Sequence, residues 1–128
     1  MSIYIRKELY PVEYILSKAL PTNTRDKDSK VDFDGDLINM NSMRYNIFKE
    51  KGIKCVSCGV EGEYFAKEKH SKSNVETYHF NLYGMDENGE EVLMVKDKID
   101  YKGIKHVSNY QTMCHKCSCL KDEQLLKG

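Results

Sequence analysis

CVSCG at residues 55–59 and CHKC at residues 114–117 hold four of the chain's five cysteines in two pairs of identical spacing. A two-residue gap lets both thiolates of a pair meet one ion, and Gly59 frees the first turn for close backbone approach. Two such pairs make a tetrahedral four-sulfur site the simplest reading, with structural zinc on Cys55, Cys58, Cys114 and Cys117. The competing reading is two unrelated pairs of buried or reactive thiols. An odd cysteine count in tight pairs is a poor disulfide framework and suits a reducing compartment. Cys119 falls outside the pattern and reads as a packed thiol or a stand-in ligand, while His115, inside a knuckle, should face solvent.

Working outward, the segment between the pairs is β-rich. VETYHFNLY (75–83) alternates, with Tyr78, Phe80 and Leu82 on one face and His79, Asn81 and Tyr83 on the other. GMDENGEE supplies an Asn88-Gly89 turn, and EVLMVK follows, so an antiparallel hairpin ending at Asp97 is predicted. Residues 98–110 read as a loop, after which the second knuckle opens a helix through Leu120 and Leu125. Before the first knuckle, Ser42 should cap a helix bearing Met43, Ile47 and Phe48, with Gly52 as its stop. VDFDGDLI (31–38) predicts two short extended pieces about an Asp-Gly turn. Asp32, Asp34 and Asp36 mimic the start of a calcium loop. Its sixth and twelfth positions, however, would be Leu37 and Met43, which excludes that site.

Further upstream, Val12, Ile15, Leu16, Ala19 and Leu20 take the spacing of one helical face after Pro11, a stripe suited to core packing, and Pro21 ends it. TNTRDKDSK (22–30) lacks apolar side chains and reads as a solvated loop. The expected organisation is a helix and polar loop over 1–30 followed by a zinc domain over 31–128. With 128 residues and 40% apolar content the chain suits one modest core. Twenty basic and twenty acidic side chains give zero formal charge, so any basic surface must be local. The N-terminal MSIYIRKELYPVEY lacks the apolar core of a secretory leader, and no run approaches a membrane span, so a cytoplasmic location without membrane contact is expected.

VLMVKDKI (92–99), SNYQTMC (108–114) and the CxxC pairs resemble the HNH endonuclease family, particularly small zinc-bearing versions found in bacteriophages. The resemblance covers roughly residues 31–122. It implies an α+β, zinc-stabilised ββα-metal domain carrying an N-terminal helical extension. It also implies that Asp97 corresponds to the acidic metal ligand and Asn109 to the central asparagine, with magnesium or manganese as catalytic ion. The departures fall in the active site. Where the family places a general-base histidine this chain has Lys98. An ordinary lysine, with a pKa of about 10.4, is protonated at neutral pH and cannot take a proton from the attacking water. Beyond Cys117, a metal-binding Asn or His is replaced by Ser118.

These departures imply an impaired nuclease scaffold acting by binding DNA or a host protein. The alternative is an active endonuclease or nickase in which His79 or His106 serves as base. Lys96, Lys98, Lys102 and Lys105 either face DNA phosphates or form a solvated face interleaved with Asp97 and Asp100. His70, in the polar run KEKHSKS, reads as a solvated loop residue.

Overall fold

The computed structural model describes residues 4–70 and 78–127. Strands β1 (Tyr4–Pro11), β4 (Gly62–His70), β5 (His79–Met85), β6 (Glu91–Lys98) and β7 (Tyr110–Cys114) form one sheet in the order β1-β4-β5-β6-β7. Every neighbouring pair in it is antiparallel. Strands β2 (Lys30–Phe33) and β3 (Asp36–Asn39) make a separate hairpin. Helices α1 (Val12–Ser17), α2 (Asp26–Ser29), α3 (Met43–Lys51) and α4 (His115–Lys127) complete the α+β fold.

Local chemistry explains the elements that were anticipated. The Ser42 side chain accepts the Arg44 N–H at the start of α3, and Gly52, at φ 98°, closes it. Asp34 and Gly35 take positive φ in the β2–β3 turn, as a two-residue hairpin requires. Gly89, at φ 76°, turns the chain between β5 and β6. Asp86 organises that loop by accepting the N–H groups of Asn88 and Glu90, both at 2.9 Å.

The core lies between one sheet face and the elements α1, α3 and β2–β3. It gathers Ile15, Phe33, Ile38, Met40, Tyr45, Phe48, Phe65, Phe80, Leu82 and Met94, with Cys55 and Cys114 at its edge. Five aromatic pairs meet edge-on around Phe80 and Phe33, the closest at 4.8 Å between ring centroids. The expected stripe of α1 packs into this core, although the helix stops at Ser17, short of Ala19 and Leu20.

Several expectations need correction. Ahead of the expected helix, Tyr4–Pro11 is a strand that was not anticipated, paired with β4 in the main sheet. The polar run 22–30 contains the short helix α2, whose Ser29 is fully buried. The run KEKHSKS is not a loop at its start, because Lys67 and Glu68 are buried within β4 and His70 is the last residue of that strand. Within the expected loop 98–110, a 3-10 turn spans Val107–Asn109 and Tyr110 opens β7. The first three residues of VETYHFNLY lie outside the described residues.

Between β5 and β6 the sheet is split. Pairing runs only from Leu82 opposite Met94 to Met85 opposite Glu91, and α3 fills the opening beyond it. The buried Tyr45 hydroxyl accepts the Phe80 N–H at 3.0 Å, and Arg44 donates to the Phe80 carbonyl and to Asn81 Oδ1. Helix side chains thus satisfy backbone groups that the ladder leaves unpaired. On the far face, Glu68 accepts from Asn81 at 2.7 Å, Tyr83 at 2.6 Å and Arg6 at 2.9 Å. A buried carboxylate with this many donors is satisfied where it stands.

Candidate metal centre

Cys55 and Cys58 sit in the turn after α3, Cys114 ends β7, and Cys117 lies in the first turn of α4. The first knuckle is held against β7 by the Val56 N–H, which donates to the Thr112 carbonyl at 3.0 Å, and the Thr112 hydroxyl bonds the Gly52 carbonyl at 2.6 Å. Those contacts bring together two cysteine pairs separated by more than fifty residues. All four sulfurs lie within 4.8 Å of one another, with Cys58 and Cys114 at 3.7 Å.

The spacing fits a tetrahedral ion. Four bonds of about 2.3 Å, the zinc–thiolate length, place sulfurs about 3.8 Å apart. Backbone amides support the negative charge: the Cys58 N–H points at Cys55 Sγ and the Cys117 N–H at Cys114 Sγ. Burial pushes the Cys55 thiol up, but the N–H groups of Cys58, Cys114 and Ser57 outweigh it and bring the thiol down to about 6. Burial pushes Cys114 up to about 12 and raises Cys117 as well. The cluster therefore holds one readily formed thiolate, Cys55, beside Cys114 and Cys117, which keep their protons until an ion displaces them. The exposed Cys58 opens toward a groove bordered by Val60, Met85, Val92 and Leu120.

Cys119 is not part of this cluster and is not packed in the core. It is exposed on α4, its sulfur 3.6 Å from His115 Nε2. His115 is exposed, as expected.

The residues singled out for catalysis divide into three places. Asp97 is buried on β6, opposite Gln111 on β7, and faces α4. Its Oδ2 accepts from Lys121 Nζ at 2.6 Å and from Gln111 Nε2 at 3.0 Å; its Oδ1 accepts from Ser118 Oγ at 3.1 Å. Lys121 also donates to the Lys98 carbonyl at 3.0 Å. Asn109 does not join this carboxylate. Its side chain accepts the Asp100 N–H at 3.0 Å and donates to the Asp100 and Ile104 carbonyls, stapling the β6–β7 loop.

The two candidate substitute bases lie elsewhere. His79 Nε2 is 3.3 Å from Asn81 Nδ2, beside the Glu68 cluster. His106 caps the 3-10 turn, its Nδ1 accepting the Ser108 N–H at 3.2 Å. Neither is among the hydrogen-bonding partners of Asp97. Lys121, the cation paired with Asp97, was not anticipated. The only sequence signal was its place one helical turn beyond Ser118 on the same helix face.

Lys96, Lys102 and Lys105 are exposed and Lys98 is half-buried. Lys96 Nζ sits 4.7 Å from the centre of the Tyr110 ring. Among the described residues, no helix is long and apolar enough to cross a membrane. Comparison with protein-family models, with curated proteins and with solved structures gave no match.

Proposed function

We propose that this protein is a zinc-stabilised, HNH-like DNA-binding module whose nuclease site is closed. The observation that carries the proposal is the complete engagement of Asp97. Both of its oxygens serve Lys121, Gln111 and Ser118, and an ammonium lies 2.6 Å away where a magnesium or manganese ion would need to be. A divalent cation would have to displace that ammonium and two further donors to gain one carboxylate ligand. The site also lacks a histidine among its partners, so neither ion nor base is provided for.

The order strand, loop, strand, helix in β6, β7 and α4 is compatible with a ββα-metal unit, and the four-thiolate set supports zinc in a closed, structural role. Such an ion would tie the turn after α3 to the start of α4 and supply part of the folding free energy. The binding surface is the segment 96–105, where four lysines face two aspartates and Asp97 is already neutralised by Lys121. A locally basic segment on a chain of zero formal charge suits phosphate contacts that carry little sequence information.

The test measures binding of the zinc-loaded protein to duplex DNA across a salt series. Neutralising four lysine contacts corresponds to a log–log slope of about −3 to −4. A Lys102→Ala/Lys105→Ala variant should lower that slope by about two. Salt-independent binding, or no binding, would refute the DNA reading.

A further inference from the structure

The loop that joins β6 to β7 presents three large apolar side chains to solvent: Ile99 is 49% exposed, Tyr101 48% and Ile104 68%. They interleave with Lys98, Lys102 and Lys105. Three large exposed apolar side chains within six residues are a local concentration of the kind that marks an interaction site.

The loop is also built to hold its shape. Asn109 bonds its backbone at Asp100 and Ile104, the Ile99 N–H reaches the Asn109 carbonyl at 2.8 Å, and the Gly103 N–H reaches the Asp100 carbonyl at 2.9 Å. A Cβ at Gly103 would meet Asn109 Nδ2 at 2.7 Å, so the staple requires glycine there. The Tyr101 hydroxyl is anchored by Asp122 of α4. Apolar side chains carried on such a frame are ordered before any partner arrives, and contact then costs little further ordering.

Resting on the DNA-binding reading above, we infer that this loop is an apolar wedge: Ile104, supported by Ile99 and Tyr101, inserts at a base step while the flanking lysines hold the phosphates. Apolar side chains that enter between base steps unstack them and kink the duplex. The favoured ligand is therefore DNA that is already easy to unstack, such as a duplex with a mismatch, in preference to a regular one. Charge complementarity selects a polyanion, because Lys98, Lys102 and Lys105 outnumber Asp100 in this loop, and apolar groups set among the lysines suit a backbone-and-base surface.

The experiment compares binding of wild type and Ile104→Ser to a regular short duplex and to the same duplex with one central mismatch, with anionic phospholipid vesicles as a third ligand. Wild type should prefer the mismatched duplex by about fivefold or more, since part of the unstacking cost is already met. Ile104→Ser should bring that ratio close to one, with affinity for both duplexes lowered by the lost insertion, while the salt dependence carried by the lysine–phosphate contacts persists. Equal affinity of wild type for both duplexes, or a preference that survives in Ile104→Ser, would overturn the wedge while leaving DNA binding intact. Failure to bind either duplex would overturn the DNA reading and the wedge with it. Vesicle binding lost in Ile104→Ser would assign the loop to a membrane surface and overturn the wedge.

Discussion

Lys121 Nζ and Asp97 Oδ2 meet at 2.6 Å across 24 residues of chain, and the Asp97 side chain is only 3% exposed. This pair joins α4 to the end of β6 and gives the buried carboxylate the protein's own cation as partner. Removing Lys121 leaves a buried carboxylate with Gln111 and Ser118 as its remaining donors. Lys121→Ala should therefore destabilise the zinc-loaded protein by about 1–3 kcal/mol, below the full cost of breaking a deeply buried pair because Lys121 keeps partial solvent access. Urea denaturation gives this value. Adding Asp97→Asn should recover part of the loss, and the double-mutant cycle gives the coupling.

Metal binding should strengthen with rising pH. Cys114, pushed up to about 12, and Cys117, also raised, hold protons at neutral pH that an ion must displace, whereas Cys55 at about 6 is already largely thiolate. Each displaced proton changes affinity by about tenfold per pH unit. Competition with a chromophoric chelator between pH 6 and 8 measures the slope. An affinity independent of pH would show that the thiols arrive already ionised.

Glu91 is held below the usual carboxylate range, chiefly by hydrogen bonds from Arg6 and then from Tyr64. A depressed carboxylate contributes stability above its unfolded pKa, and that contribution is lost as pH falls through the folded value. The stability difference between wild type and Arg6→Ala should thus be widest near neutrality and narrow as the pH drops below about 4. Denaturation midpoints across a pH series check the direction. A difference that widens in acid would contradict it.

Tyr45→Phe tests the split in the sheet. The change removes the acceptor of the Phe80 N–H in a fully buried setting and alters little else in volume. A loss of about 1–3 kcal/mol is expected from the stranded amide, read by urea denaturation. A neutral result would mean that β5 and β6 close the gap on their own.

The legible parts of the fold were those with local, self-contained chemistry. The Ser42 cap and Gly52 stop bound α3, the Asn88-Gly89 turn set the β5–β6 hairpin, and the two CxxC pairs marked residues that the structure brings together. The missed strands lack that kind of pattern. In β1, Ile5 and Leu9 remain exposed while Arg6 and Glu8 take part in polar contacts, so apolar alternation does not track burial. In β4, Lys67 is fully buried because Asp36 and the Phe33 carbonyl, both from the β2–β3 hairpin, receive its ammonium at 2.9 Å. Its neighbour Glu68 is buried by donors from β1 and β5. Charged residues satisfied by distant partners read locally as a solvated run. The same limit hid Lys121, whose meaning depends on Asp97 two elements earlier.

The most direct test is nicking of supercoiled plasmid by zinc-loaded protein with magnesium and then manganese, alongside Asp97→Ala and Lys98→His. Wild type should bind the plasmid and leave it intact with both ions, since Asp97 is already paired with Lys121. Divalent-dependent nicking by wild type that disappears in Asp97→Ala would contradict the closed site and identify the protein as an active nuclease.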